Sequence, residues 1–114
     1  MQIQRIAFGR IVLDGRTYTS DLVIYPDGRV REGWRRARGH RLSMEDIAGL
    51  VETGPELIVA GTGMNGRMRP DPDLEERLER EGIRLHASPN EEAAVFFNER
   101  GPAERVGACF HLTC

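Results

Sequence analysis

The run Leu57-Ile58-Val59-Ala60-Gly61 contains no polar side chain. A strand with one wet face alternates apolar and polar residues, whereas a strand buried on both faces reads as continuous apolar sequence. The run therefore predicts an inner strand covered on both sides, and the chain around it must supply the cover. Asp71-Pro72 opens a helix with Leu74 and Leu78 as its apolar stripe and Gly82 as its C-cap. Ile83 to Ala87 reads as the next strand. Ser88-Pro89-Asn90-Glu91 reads as a capping box that starts a further helix carrying Ala93, Ala94, Phe96 and Phe97, stopped by Gly101-Pro102. Arg105 to Leu112 closes as a strand. This strand–helix–strand–helix–strand order predicts parallel pairing through right-handed crossovers.

The first third has a different rhythm. Ile6 to Leu13 and Thr17 to Tyr25 flank Asp14-Gly15, a two-residue hairpin signal because that turn needs φ > 0 at both positions. Pro26-Asp27-Gly28 makes a second turn leading into Arg29 to Trp34, so this part reads as an antiparallel meander that extends or flanks the sheet. Ser43 places a hydroxyl before Ile47, Leu50 and Val51 at helical spacing, and Gly54-Pro55 ends that helix. The fold class expected is α/β, an N-terminal antiparallel meander followed by β-α-β-α-β.

With 114 residues, a second core would leave both too small to stand alone, so residues 1–114 are expected to form a single domain. The formal net charge is -2, with 30% of residues charged. That gives no global field for nucleic acid or an anionic membrane surface. Every basic residue is Arg. No apolar run approaches the ~18 residues of a membrane span. Met1 to Arg5 lacks the layout of a secretory signal. Two cysteines are too few for a disulfide framework. The expectation is a reduced cytoplasmic protein without nucleic-acid or membrane partners.

Gly61-Thr62-Gly63-Met64-Asn65-Gly66 spells GxGxxG directly behind a strand. Its glycines would let backbone N–H groups approach an anion, with Arg67 and Arg69 adding charge. A dinucleotide fingerprint, however, opens straight into its helix, and here Pro70 and Pro72 delay it. The acidic residue expected about 20 positions on is missing, as is a Walker-type Lys. The Rossmann reading fails. A small-anion pocket at Gly61, Thr62, Gly63, Asn65, Gly66 and Arg67 and a plain turn both remain open.

Cys109, His111 and Cys114 cluster at the C-terminus without paired C-x₂-C spacing, so they do not spell a zinc site. Cys109 or Cys114 could serve as a redox thiol only with a low pKa. Trp34-Arg35-Arg36-Ala37-Arg38-Gly39-His40-Arg41 is a basic run beside an aromatic. Trp34, Arg35, Arg36, His40 and Arg41 are the candidate partner surface, since Trp and Arg are favoured at interface hot spots. No catalytic constellation, metal set or cofactor motif assembles from adjacent segments.

The order of these segments resembles the adipogenesis-associated Mth-domain family. The resemblance runs through Tyr18-Thr19-Ser20-Asp21, Tyr25-Pro26-Asp27-Gly28, Trp34, Gly39-His40, Leu57 to Gly63, Gly82-Ile83, Asn98 and Val106 to Cys114. It implies a three-layer α/β fold with a mixed central sheet and no established catalytic residues. Animal relatives are linked to fat-cell differentiation. A distant mitochondrial relative assists assembly of respiratory complex I, and its loop resembles Gly61 to Gly63. No targeting segment is recognised before Ile6. These relatives point to a non-enzymatic binding or assembly module with an unknown protein partner, a small anionic ligand or a homo-oligomeric state. A small redox or anion-using enzyme is the alternative.

Overall fold

The computed structural model describes residues 1–113. Strands β1 (Ile3–Ala7), β2 (Arg10–Leu13) and β3 (Arg16–Tyr18) form an antiparallel sheet in that order. Then come β4 (Leu22–Ile24), β5 (Val30–Glu32), β6 (Arg41–Leu42), a 3₁₀ turn at Glu45–Ile47 and α1 (Ala48–Glu52). The second half holds β7 (Leu57–Gly61), β8 (Arg69–Pro70), α2 (Leu74–Arg80), β9 (Arg84–Ser88), α3 (Asn90–Arg100) and β10 (Val106–Phe110). The central sheet is mixed, in the order β5-β4-β10-β7-β9. β10, β7 and β9 are parallel, β4 pairs antiparallel with β10, and β5 pairs antiparallel with β4.

Side-chain alternation sorts the interior into two cores. Leu57 and Val59 of β7, Ala108 and Phe110 of β10, and Leu22 and Ile24 of β4 face the N-terminal sheet and α3, packing on Ile11, Leu13, Ala93 and Phe97. Ile58, Ala60, Cys109 and Val23 face the other way, onto Leu50, Leu74, Leu78 and Trp34. β7 is thus buried on both faces, as its apolar run requires, and the fold has three layers. Burying each Val, Leu or Ile contributes about 1.5–3 kcal/mol, so this inner strand is a large share of the hydrophobic drive.

The meander differs from its sequence reading in two places. Ile6 to Leu13 is not one strand, because the chain reverses at Gly9 (φ 72°) and β1 pairs back on β2. Thr17 to Tyr25 is also broken. β3 stays in the small sheet and β4 joins the central one, with Thr19 to Asp21 carrying the chain between layers. Alternation shows which residues suit a strand but not which sheet it joins. The Asp14-Gly15 turn is as expected, with φ of 47° and 84°.

Helix starts divide similarly. Ser43 and Asp46 exchange bonds, Asp46 N–H donating to Ser43 Oγ (3.3 Å) and Ser43 N–H to Asp46 Oδ2 (2.9 Å). The capping box expected at Ser88 is absent. Ser88 ends β9, Pro89 precedes α3, and no side chain caps it. The sheet claims Ser88, and its hydroxyl lies 3.0 Å from His86 Nε2.

Candidate functional site

The chain leaves β7 through α2 to β9, then returns through α3 to β10 on the other side of β7. The two helices lie on opposite faces, so the connections diverge at the carboxyl ends of the adjacent strands β7 and β9. Open α/β sheets place ligands at such a point. Here the protein's own polar groups occupy it. Asn90, 0% exposed, accepts Gly63 N–H on Oδ1 (3.0 Å) and donates Nδ2–H to His111 C=O (2.8 Å). Gly61 packs so tightly that a Cβ there would lie 2.6 Å from Asn90 Oδ1 and overlap the edge of the Phe110 ring.

The glycine loop is folded onto itself. Thr62 N–H donates to Ser88 C=O (3.0 Å), Gly66 N–H to Gly63 C=O (3.2 Å) and Met68 N–H to Thr62 C=O (2.9 Å). Gly63 (φ 107°) and Gly66 (φ 69°) hold conformations that L side chains rarely adopt. Gly61, Thr62 and Gly63 are buried, whereas Asn65 and Arg67 are exposed. The amides of Thr62, Gly63, Gly66 and Met68 therefore serve protein acceptors.

Beside this loop lies a buried ionic network. Asp21 Oδ2 is 3.0 Å from Arg36 Nη1 and 2.7 Å from His111 Nδ1, and Asp21 Oδ1 accepts Leu112 N–H at 2.7 Å. Arg36 Nη2 also lies 3.0 Å from His111 Nδ1, and Arg36 Nε donates to Gly39 C=O at 2.9 Å. Arginine cannot accept, so a proton on Nδ1 is donated to Asp21. Burial alone would raise the Asp21 carboxyl. The Leu112 and His111 hydrogen bonds, the His111 charge and the Arg36 bond outweigh that and hold it below its ordinary value.

Two members of the expected partner surface lie inside. Trp34 is 4% exposed, its indole N–H donates to Asp46 C=O (3.0 Å), and the Arg36 guanidinium sits 4.7 Å over its ring. Only 5% of the Arg36 side chain is exposed. Trp34 buries because it closes the second core, and Arg36 because Asp21 and His111 wait for it there. Arg35, Arg38, His40 and Arg41 of the same arm are exposed.

The structure joins the two loops that the sequence offered separately. β6 pairs in parallel with β8, setting Arg41 beside Arg69, and Arg69 N–H donates to His40 C=O at 2.8 Å. The His40 ring lies 5.8 Å from that of His111, tilted 58°. Arg41 is paired with Asp71 (2.7 Å). Arg35, Arg38, Arg67 and Arg69 have no ion-pair partner among the described residues. The ladder thus brings the two arginine-bearing loops side by side.

The redox reading of Cys109 does not survive its position. The thiol is fully buried, and that burial pushes its pKa up to about 12, leaving no thiolate near neutrality. Cys114 lies outside the described residues. Among the described residues no group of three His, Cys, Asp or Glu side chains could hold a metal ion. No helix of the described residues is long and apolar enough to cross a membrane. Sequence reading assigned no role to Asp21 or Asn90. Asp21 carried one signal, a charge set directly before Leu22-Val23-Ile24, but its partners lie 15 and 90 positions away.

These features define a small three-layer α/β domain with its own Asn90 at the switch point and an Asp–Arg–His network beyond the end of β10. Residues 3–111 match the family described as Protein of unknown function (DUF498/DUF598), and the chain belongs to it. The solved structures it resembles include a conserved hypothetical protein from Pyrococcus horikoshii OT3, at 26% identity and TM-score 0.88 over 100% of both chains. MT938 is similar at 28% identity and TM-score 0.84, with 99% of this chain and 98% of that one covered. A Bordetella pertussis protein described as a Mth938-like domain shares the fold at 18% identity and TM-score 0.68, over 97% of this chain and 85% of that one. The Mth-domain resemblance read from the sequence is to this same group, whose function is unknown.

Proposed function

We propose that this domain is a non-enzymatic binding or assembly module, acting in the cytoplasm, whose working surface is the cationic face of the 35–41 arm and the 62–69 loop. Its partner is a protein that presents an acidic segment. The observation that carries this reading is the β6–β8 ladder, which sets Arg41 beside Arg69 with Arg35, Arg38 and Arg67 on the same two loops. Arginine suits the task, since its planar fork meets carboxylates through two parallel hydrogen bonds. A small anionic ligand at Gly61 to Arg67 is the weaker form of the proposal, because four loop amides already have protein acceptors.

The test is crosslinking and pull-down from native extract with the wild type and an Arg35→Glu/Arg38→Glu/Arg67→Glu/Arg69→Glu variant. Circular dichroism confirms that the variant is folded. Partners that disappear with charge reversal and with added salt support the module. An unchanged partner set sinks it. A thermal-shift screen against phosphates, nucleotides and sugar acids addresses the small-ligand form. There, a shift from one anion class that Arg67→Ala abolishes would favour the ligand over the protein partner.

A further inference from the structure

The chain treats its sheet edges differently. β5 is three residues long, and its exposed Glu32 meets Arg16 at 4.0 Å. The edge strand β1 is bonded by Asn98, whose side-chain amide meets both Ile3 N–H and Ile3 C=O at 2.8 Å. Short, charged or covered edges are how proteins discourage stray strand pairing. β9 is five residues long and outermost in the central sheet. Arg84 N–H and Ser88 C=O turn inward, to Glu56 and Thr62. Backbone alternation then turns the N–H and C=O of Leu85 and Ala87 outward, where no strand pairs with them among the described residues.

A shallow, open cleft lies on either side of this edge. On the α3 side, a space of about 430 Å³ has an apolar floor of Val95, 58% exposed, and Phe96, stacked on His86 at 3.9 Å between ring centroids. Glu91, Glu92 and Glu99 line it as well. On the α2 side, a space of about 470 Å³ is lined by Pro70, Pro72, Leu85 and Ala87 together with Asp71 and Glu75.

We propose that β9 is a docking edge for an extended, basic segment of a partner protein, added to the central sheet as a further strand. Main-chain bonds to Leu85 and Ala87 supply the pairing, and alternate side chains of the incoming segment enter the two clefts. Apolar side chains cover Val95 and Phe96, and basic ones meet the carboxylates on either side. The acidic lining also argues against a second copy of this chain. Pairing β9 with itself about a two-fold axis sets Glu91 and Glu92 at one end of α3 toward Glu99 at the other end of the second copy's α3, and like charges so placed repel. This edge and the cationic face share Asp71, which pairs with Arg41, so the test rests on Glu92 and Glu99 of α3, which have no ion-pair partner among the described residues.

The probe is a fluorescein-labelled, acetylated (Arg-Val)₃ amide titrated into the 114-residue protein, followed by anisotropy and by amide exchange. The expected result is saturable binding that slows exchange at Leu85 and Ala87. Affinity falls about tenfold or more in Glu92→Lys/Glu99→Lys, whose positions are exposed on α3. The same peptide N-methylated along one edge does not bind. Equal binding of the N-methylated peptide, or no binding of either, overturns the proposal. So does a dimer seen by sedimentation that Ala87→Pro abolishes, because the occupant is then a second copy.

Discussion

Arg36 and its neighbours Arg35 and Arg38 carry the same charge within one short arm and have opposite surroundings. Arg36 is held by Asp21, His111 and the Gly39 carbonyl under the Trp34 ring. Arg35 and Arg38 stand exposed with no ion-pair partner among the described residues. The difference teaches where charge is structural and where it is available. A buried guanidinium without its carboxylate is strongly destabilising, so the Asp21–Arg36–His111 network commits the arm to one position. An exposed guanidinium adds little to stability and is left for a partner.

The largest expected effect comes from breaking the inner side of this comparison. Asp21→Asn leaves Arg36 buried beside a neutral amide and should cost about 3–5 kcal/mol in urea unfolding. The same carboxyl sets a pH dependence. Its folded pKa is held below the ordinary value, so its stabilising contribution is present above about pH 4 and is lost as pH falls through the folded value. Asp21→Asn should therefore flatten the acid limb of the stability curve. An acid limb identical to wild type would mean that the network titrates through another group.

Gly61→Ala comes next. Its new methyl meets the Phe110 ring and Asn90 Oδ1, and overpacking of that kind costs about 1–3 kcal/mol. A neutral outcome would mean that the switch point is looser than its hydrogen bonds imply.

Cys109 offers a smaller, chemical contrast. In a Cys114→Ser background, iodoacetamide at pH 8 should leave the native protein unmodified and label it only after unfolding. Rapid native labelling would show the second core opening around β10. Because burial raises this thiol, its contribution to stability is full below about pH 8.5 and is lost as pH rises toward about 12.

The outer side of the comparison should barely register in stability. Arg38→Ala/Arg69→Ala is expected within about 0.5 kcal/mol of wild type by thermal unfolding. A larger loss would move these arginines into the structural group and weaken the case for a cationic docking face.

Much of the fold was legible along the chain. The apolar run at Leu57, the Asp14-Gly15 turn, the Leu74–Leu78 stripe and the Ser43–Asp46 cap each depend on residues within a few positions of one another. Their physics is local, so sequence determined the α/β class and the parallel crossovers. The misread pieces lay where tertiary demand outweighed local preference. Gly9 looked like a strand residue until β1 paired back on β2, and Ser88 looked like a cap until the sheet took it.

The candidate site was legible only in parts. Sequence identified both loops as unusual, but their meeting depends on Arg41 pairing with Arg69 across a parallel ladder, a contact no local pattern encodes. Likewise, nothing beside Trp34 says that it faces inward, and nothing beside Asp21 says that His111 will stand 2.7 Å away. Local hydrogen bonds and alternation are fixed by neighbours in the chain. Which charges are buried and which remain for a partner is decided only when distant segments compete for the same space.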